Sequence, residues 1–466
     1  MTKKTKIVCT IGPSSWDPEV MRQMIENGMN CARVNGAFAN PDELDKVANL
    51  VRSVSNKVSL MVDVKGPEIR LNKFANPIDL TVGQIIEIGN DENSEIYPAN
   101  YKDIYKFVKP GQRAIIGDGD VAMVIEEIKG DKMICRVEYG EVLKPGKAFN
   151  LPGVDYSDEV LTEKDKINLR HAINTGWDFV SASFMNNKQS ALYIKEFIGD
   201  APMKIIAKIE NEEGVQNASE ILEIVDGIMI ARGGLGVELG LEQVAIVQRE
   251  LNFLCNIAGK PVITATQMLE SMTEKPRPTR AEAGDVATAV MLGTDAVMLS
   301  GESSAGKYPV EAVKFLTKAS LVAEEQDEPT IIELDGHATP TANAITRSAA
   351  ELCINLENDI AKVVVVSKTG TTARMLARHM IRQPIYLFTS NEWYMRTAML
   401  SRGIVDAFVF EGLGPDPKNR DNAVKLITEM IQKYNIAQKG EKILLLGKTP
   451  IDSQDFFPNV FEIIEI

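Results

Sequence analysis

The chain has 466 residues, enough for about three domains of roughly 150 residues each. Its composition is ordinary for a globular protein, with 44% hydrophobic and 25% charged residues. The formal charge of −14 repels phosphate backbones and anionic membrane surfaces, so we expect neither nucleic acid nor a membrane as a partner.

The N-terminal segment and the rare residue types narrow the expectations further. Polar residues 2–4 follow Met1 directly and no run approaches about 18 apolar residues, which predicts a cytoplasmic protein. The five cysteines are far apart and odd in number, so we expect buried free thiols rather than disulfides. Three histidines leave little material for a zinc site or a catalytic triad.

Short β-branched runs alternate with helix-length segments along much of the chain. The runs are residues 6–10, 31–35, 60–63, 179–183, 205–210, 228–232, 262–266 and 296–300. Eight strands in βα alternation predict a closed (β/α)8 TIM barrel, in which chemistry takes place at the C-terminal ends of the strands.

Polar and charged residues collect at those strand ends. They are Arg33, Asn35, Asp63, Lys65, Lys208, Glu210, Arg232, Thr266, Ser300 and Glu302. A solvated strand end explains any one of them equally well, but not the whole set. The pattern therefore predicts a functional site at the mouth of the barrel.

Two other regions break the βα pattern. Residues 72–155 contain short alternating runs with weak helical periodicity, which predicts a small β-barrel lid inserted at the barrel mouth. After residue 338, a helix at 342–357 and strands at 363–366 and 443–446 predict a separate α/β domain. The predicted domains are 1–71 with 156–337 for the active-site barrel, 72–155 for the lid, and 338–466 for a C-terminal domain that binds an effector or forms oligomer contacts.

Lys208 and Glu210 stand two apart on one predicted strand and so point to the same side. The carboxylate can hold a divalent metal while the ammonium group neutralises developing negative charge, an arrangement suited to phosphoryl transfer. A plain ion pair between the two side chains is the alternative interpretation.

Two further strand ends carry candidate groups. The glycine-rich turn at 231–236 lets the backbone N–H groups of Gly233 and Gly234 approach an anion, although such turns are also common without a ligand. Thr266 could relay a proton through its hydroxyl or a water molecule, or it could cap a helix.

Seven motifs together resemble the pyruvate kinase family. They are residues 5–15, 65–70, 150–153, 208–211, 265–272, 276–282 and 298–302. The resemblance extends over nearly the whole chain. It implies phosphoryl transfer from phosphoenolpyruvate to ADP in glycolysis, giving pyruvate and ATP, with Mg²⁺ or Mn²⁺ and K⁺ as cations and a homotetramer as the assembly.

The resemblance also implies a role for individual residues. Arg33 would bind the substrate phosphate, Lys208 would stabilise the phosphoryl group in transfer, and Thr266 would assist protonation of the enolate. The backbone at Gly233 and Gly234 would hold the substrate carboxylate. The remaining implied roles are Mg²⁺ binding by Glu210, monovalent-cation binding by Asn35, Asp63 and Val64, and nucleotide binding by Arg70, Lys147 and Asn35.

The chain departs from the family pattern at several implied site positions. Gly234 stands where the family has a metal-binding aspartate, and Ala37 and Phe38 replace a serine and a histidine. Glu68 is the choice associated with potassium-dependent relatives, although Ala37 removes a cation ligand. We therefore predict a kinase with weakened metal and K⁺ binding. The alternatives are an impaired paralogue that binds phosphoenolpyruvate or a sugar phosphate as a regulatory protein, and an enolate reaction without nucleotide.

The predicted C-terminal domain has its own candidate site. Ser367, Lys368, Thr369, Gly370 and Thr372 form a hydroxyl-rich loop that enters a helix and could bind an effector phosphate. A simple capped helix start is the alternative. Residues 447–452 depart from the family's effector turn, which predicts weak or absent sugar-phosphate activation.

Overall fold

The first part of the fold alternates buried strands with capped helices. A computed structural model describes residues 2–117, 119–154, 159–332, 340–410, 420–447 and 458–466, with the backbone alone at 420–424. The first elements are β1 (Lys6–Thr10), α1 (Pro18–Glu26), β2 (Cys31–Asn35), α2 (Pro41–Val54) and β3 (Ser59–Val64). Asp17 and Asn40 accept first-turn N–H groups of α1 and α2, and a proline follows each cap, so both helix starts are set by local sequence.

In the described residues of the segment that follows, the regular structure is all β apart from one 3₁₀ turn at Ile104–Lys106. Its strands are β4 (Ile78–Asp79), β5 (Ile85–Ile88), β6 (Arg113–Ile116), β7 (Val121–Lys129), β8 (Lys132–Tyr139), β9 (Val142–Leu143) and β10 (Phe149–Asn150). Five of them form an antiparallel sheet in the order β10-β6-β7-β8-β5, and β4 pairs with β9. This segment has its own apolar core around Ile88, Met123 and Val137, as the alternating sequence predicted.

The chain then returns to the βα pattern. The elements are α3 (Glu163–Asn174), β11 (Phe179–Ala182), α4 (Lys188–Ile198), β12 (Lys204–Ile209), α5 (Glu212–Gln216), α6 (Ala218–Ile224), β13 (Gly227–Ala231), α7 (Arg232–Glu238), α8 (Leu241–Ala258), β14 (Val262–Ala265), α9 (Arg280–Met291), β15 (Ala296–Leu299), α10 (Gly301–Ser304) and α11 (Pro309–Glu324). With β1 to β3 the strands close a parallel barrel in the order β1-β15-β14-β13-β12-β11-β3-β2, which confirms the predicted TIM barrel. Its interior is filled by buried side chains such as Met61, Phe179 and Met229.

The last part of the chain is a second α/β unit. Its elements are α12 (Pro340–Asn355), β16 (Ile360–Val366), α13 (Thr371–Ala377), β17 (Ile385–Thr389), α14 (Glu392–Ala398), β18 (Ile404–Val409), α15 (Arg420–Lys433), β19 (Lys442–Gly447) and β20 (Val460–Glu465). The sheet order is β18-β17-β16-β19-β20, parallel except for β20. The predicted C-terminal α/β domain is confirmed as a fold.

The structure confirms the prediction for the cysteines but does not test the exact domain bounds. All five cysteines are buried and free, as expected. Among the described helices, none is long and apolar enough to cross a membrane. The exact domain bounds stay predictions, and those at 155/156 and 337/338 fall in segments outside the described residues.

A buried ion pair joins the C-terminal unit to the barrel. Both terminal nitrogens of Arg402 belong to this junction, and one donates to the two carboxylate oxygens of Asp327 at 2.7 and 2.6 Å. The other donates to the Thr5 hydroxyl at 3.1 Å and the Val290 carbonyl at 3.0 Å. The Arg402 and Asp327 side chains are only 4% and 2% exposed, so water competes little with this contact.

Removing one partner of this pair should destabilise the fold strongly. We expect Asp327→Ala to lower the free energy of unfolding by about 3–5 kcal/mol, because the Arg402 charge would stay buried without its counter-ion. Thermal or urea denaturation measures the change. Glu357→Ala is the control, because Glu357 pairs with Arg382 at the surface and its loss should cost about 0–1 kcal/mol. Equal effects of the two substitutions would contradict the interpretation.

Candidate active site

A cavity of about 230 Å³ opens at the C-terminal ends of the barrel strands. Its wall includes Arg33, Asn35, Ala37, Phe38, Asp63, Lys65, Glu68, Arg70, Lys208, Glu210, Gly233, Gly234 and Glu238. Most of the predicted site residues therefore meet in one place. Phe38 is 78% exposed at the rim, so this side of the cavity is open to solvent.

Asp63 is the centre of the buried part of the site. Its Oδ2 atom accepts from the Arg33 guanidinium at 2.8 to 3.0 Å and from the Ser181 hydroxyl at 2.8 Å. Its Oδ1 atom lies 3.5 Å from Lys208 Nζ. Burial alone would raise the pKa of Asp63, but the charges of Arg33 and Lys208 outweigh it and hold the pKa below its usual value.

Lys208 and Glu210 project to the same side of β12, as their spacing predicted. Lys208 Nζ lies 3.1 Å from Glu210 Oε1 and donates to the Ser183 hydroxyl. Burial favours the neutral amine, yet Asp63 and Glu210 together raise the pKa of Lys208 above its ordinary value. The lysine is therefore a fixed cation that is 12% exposed, in a cavity of the size a small anionic substrate requires.

The glycine-rich turn after β13 brings backbone donors to the cavity wall next to β12. Helix α7 begins at Arg232, and the N–H of Gly233 donates to the Thr266 hydroxyl at 2.8 Å. Thr266 has a φ of 67°, a left-handed conformation that costs a non-glycine residue on the order of 1–3 kcal/mol. Thr266, which directly follows β14, therefore caps α7. Its hydroxyl lies beside the predicted carboxylate cradle but is not part of the cavity wall.

Gly234 leaves a tight space beside Glu210. A Cβ atom at position 234 would lie 3.0 Å from the Glu210 Cβ and 3.1 Å from its backbone oxygen. A side chain therefore fits only if Glu210 moves by a few tenths of an ångström. The absence of a carboxylate at position 234 thus coincides with a close approach between the backbone of Gly234 and Glu210.

The inserted sheet and its connections form the outer wall. Glu68 Oε2 binds both Lys65 Nζ at 2.5 Å and Arg70 Nε at 2.7 Å, so Arg70 faces the cavity as predicted. Lys147 is different, because its ammonium group contacts Asp120 at 3.1 Å and it is not part of the described cavity wall. Its predicted contact with a nucleotide would require the side chain to leave Asp120.

The predicted divalent-metal site can be compared with the ligands that the described residues offer. Among the described residues, no set of three or more His, Cys, Asp or Glu side chains is arranged to hold a metal. A divalent ion can still bind Glu210 if substrate oxygens and water complete its shell, since Mg²⁺ commonly uses one or two carboxylates and phosphate oxygens. Glu210 Oε2 accepts the Phe184 N–H at 3.0 Å, which orients the carboxylate.

The monovalent-cation cage fits poorly. Asp63 is already neutralised by two cationic side chains, and Asn35 Oδ1 accepts the Ala37 N–H at 3.1 Å. Ala37 offers no side-chain oxygen, and the Val64 side chain is buried with only its carbonyl available for such a role. The described residues therefore supply too few free oxygens for a K⁺ site.

Two residues of the site were not identified from the sequence. Phe184 has a φ of 52° and lines both the main cavity and a second one of about 290 Å³. Glu238 lines both cavities, one helical turn after Gly234 on α7. The i, i+4 spacing was the available signal for Glu238. Glu212 and Glu213 line only the second cavity.

The predicted effector loop lies away from this cavity, in the C-terminal unit. Gly370 adopts a φ of 76° and caps α13, while the hydroxyls of Thr369 and Thr371 lie 2.9 Å apart. The Ser367 hydroxyl is buried without a hydrogen-bond partner among the described residues. An effector phosphate here stays a prediction, and residues 448–452 lie outside the described part of the chain.

Comparisons with known proteins agree with the geometry. Two family models match the chain, "Pyruvate kinase, barrel domain" over residues 2–313 and "Pyruvate kinase, alpha/beta domain" over residues 343–464. A pyruvate kinase of Dictyostelium discoideum is 37% identical over 467 aligned positions, covering 95% of this chain and 91% of the relative. One of Geobacillus stearothermophilus is 38% identical, covering 97% and 78%, and one of Borreliella burgdorferi is 35% identical, covering 97% and 94%.

Glu238 should make stability depend on pH. Burial, with repulsion from Glu212 and Glu210, raises the pKa of Glu238 from 4.5 to about 7. Between these values the folded chain holds a proton that the unfolded chain releases, so the free energy of unfolding falls as pH rises through this window. Glu238→Gln should remove this component, measured by thermal denaturation from pH 5 to 8 in metal-free buffer.

The control for this experiment is the exposed Glu242→Gln, which should leave the native pH dependence in place. An unchanged pH dependence in Glu238→Gln would show that the proton is not held at Glu238.

Proposed function

The chain belongs to the pyruvate kinase family, and from that premise we propose that it transfers the phosphoryl group of phosphoenolpyruvate to ADP, giving pyruvate and ATP. One observation carries the assignment to this site: Arg33 and Lys208 are held by Asp63 in a single buried cluster at the cavity floor. Two fixed cations suit a substrate that carries a phosphate and a carboxylate.

The reaction breaks the bond between phosphorus and the enolate oxygen and forms a bond to a terminal phosphate oxygen of ADP. Arg33 and Lys208 are placed to hold the phosphoryl group while charge shifts among its oxygens. The N–H groups of Gly233 and Gly234 would hold the carboxylate, and a ligand there would replace Thr266 as the partner of Gly233. The enolate then takes up a proton to become pyruvate, with the Thr266 hydroxyl as the nearby polar group.

Glu210 would hold the divalent ion, Mg²⁺ or Mn²⁺, which when bound supplies Lewis-acid stabilisation of phosphoryl oxygens. Gly234 leaves that ion without the second side-chain ligand. Glu238 is the acid best placed to assist, because it lines the same cavity from the next turn of α7. We therefore expect metal affinity to be reduced. Arg70 would approach the nucleotide from the outer wall.

A non-catalytic regulatory role is not favoured. The curated relatives are enzymes by name and match over nearly the full length of the chain, and the lysine and carboxylate implied in chemistry are retained. An enolate reaction without nucleotide has no observation of its own in its support. A homotetramer, a cytoplasmic location and weakened K⁺ binding stay predictions.

Loss of the central lysine should abolish most activity. We expect Lys208→Met to lower kcat by about 10²–10³-fold, because a preorganised cation at the transferring group is lost. A coupled assay with phosphoenolpyruvate and ADP measures it. Lys307→Met is the control, since Lys307 pairs with Glu274 on the surface. A loss below about tenfold in Lys208→Met would contradict the role of this residue.

Restoring an acid at position 234 should strengthen metal binding. In Gly234→Asp we expect the Mg²⁺ concentration for half-maximal activity to fall by about tenfold or more, since a second carboxylate would join Glu210. Gly234→Ala is the matched control, because it adds the same crowded Cβ without the charge. The readout is activity as Mg²⁺ and Mn²⁺ are varied, with and without K⁺.

The outcomes of that experiment are distinct. Equal metal dependence in the native chain and Gly234→Asp would show that the missing acid does not matter. If the native chain binds phosphoenolpyruvate but shows no turnover at high Mn²⁺, the kinase proposal fails in favour of a regulatory role.

A further inference from the structure

A second polar pocket lies at the opposite end of the barrel. It is narrow, leaving about 20 Å³ for the centres of water-sized atoms, and it is enclosed by the barrel on one side and α13 with the turn after α14 on the other. We call it the interdomain pocket and define it by Lys260, Asp295, Arg374, Arg378, Ser401 and Arg402. Lys260 and Asp295 precede strands β14 and β15, so the pocket is remote from the catalytic mouth.

Two arginines of this pocket have no acidic partner in the described part of the chain: Arg378 is buried and Arg374 is half-buried. Within the described ranges, no carboxylate lies within ion-pair distance of Arg374 or Arg378. Arg378 is 6% exposed and makes only long contacts, 3.4 Å each, to the Ile257 carbonyl, the Asn343 side chain and the Met375 sulfur. Buried charges in proteins are ordinarily paired, so these two guanidinium groups lack a counter-ion in direct contact.

Unsatisfied donors point to the same conclusion. Four wall residues each have a completely buried polar atom without a hydrogen-bond partner in the described structure: Arg374 Nη1, Arg378 Nε, Ser401 Oγ and Arg402 Nε. Ser401 and Arg402 are 2% and 4% exposed. Three of the four atoms can only donate, so the missing ligand is an acceptor.

The surrounding charges are also in excess on the positive side. Burial and the charge of Arg374 lower the pKa of Lys204 to about 7, and the same influences lower the pKa of Lys260. The nearby acid Asp226 already accepts the Ile205 N–H, and Asp295 accepts the N–H groups of Val262 and Arg402. Both carboxylates attract Arg374 from a distance, yet among the described residues neither lies within ion-pair distance of Arg374 or Arg378.

We propose that the interdomain pocket binds a phosphate group between the barrel and the C-terminal unit. Guanidinium groups bind phosphate oxygens through paired N–H donors, and the serine hydroxyl adds a further donor. A single water molecule would occupy similar space but would leave the arginine charges uncompensated. The small volume admits one tetrahedral oxyanion, so any organic part of a phosphorylated metabolite would remain outside. This inference does not depend on the proposed kinase activity.

The test measures the affinity of the full-length chain for inorganic phosphate by calorimetry, with sodium chloride keeping the ionic strength constant. The Lys208→Met background removes the catalytic cation that would also attract phosphate, and Lys368→Met reports any contribution of the effector loop. We expect saturable phosphate binding that weakens at least tenfold in Arg374→Met and in Arg378→Met. Arg382→Met is the matched control, because Arg382 pairs with Glu357 at the surface and should leave binding unchanged.

A second measurement separates a lost site from a damaged fold. In phosphate-free buffer, Arg378→Met should raise the midpoint of thermal unfolding, because it removes a buried unpaired charge. In the Lys208→Met background, phosphate should stabilise the chain that keeps Arg378 and should not stabilise the one that also carries Arg378→Met. Glycerol 3-phosphate in place of inorganic phosphate tells whether an organic phosphate enters. Undiminished phosphate affinity in both arginine variants, or a phosphate-free midpoint that falls in Arg378→Met, would overturn the proposal.

Discussion

The site at the barrel mouth depends on the buried carboxylate of Asp63. Arg33 and Lys208 come from different strands, β2 and β12, and without a shared anion these cations would repel each other in a region that excludes water. Asp63 holds both, and Ser181 fixes its orientation. The same contacts explain why a monovalent cation finds few free oxygens there. Asp63 thus positions the two cations that would attract an anionic substrate, and it leaves few oxygens for a monovalent cation.

Sequence predicted the barrel because each strand is a β-branched run ending in polar residues, and it placed Lys208 and Glu210 on one side through the two-residue repeat of a strand. It did not identify Glu238, because the i, i+4 spacing from Gly234 becomes a signal only once residues 232–238 are known to be helical. Phe184 was missed for another reason, since its left-handed backbone depends on tertiary contacts. Lys147 pairs with Asp120, and no local sequence pattern predicts this ion pair between two residues that are distant along the chain.

The distribution of charge differs from the overall balance. The chain carries 14 more negative than positive charges, yet both ends of the barrel concentrate cations in buried places. At the mouth, the carboxylates of Asp63 and Glu210 balance this positive charge and hold the cationic side chains in place. At the interdomain pocket Arg374 of α13 and Arg378, which directly follows α13, each have a nitrogen without a hydrogen-bond partner among the described residues. Net charge thus predicts poor binding of nucleic acid while revealing nothing about small anions.

The Arg402–Asp327 contact makes the barrel a poor independent module. Family profiles divide the chain into a barrel and an α/β part, but the guanidinium that covers Asp327 and Thr5 belongs to the second part. A barrel expressed alone would expose acids and apolar surface that the C-terminal unit covers. Recombining barrels and C-terminal units from different relatives would therefore require this contact to be exchanged as a set. Whether a chimeric protein of this architecture folds would therefore depend on the match between the residues of this contact.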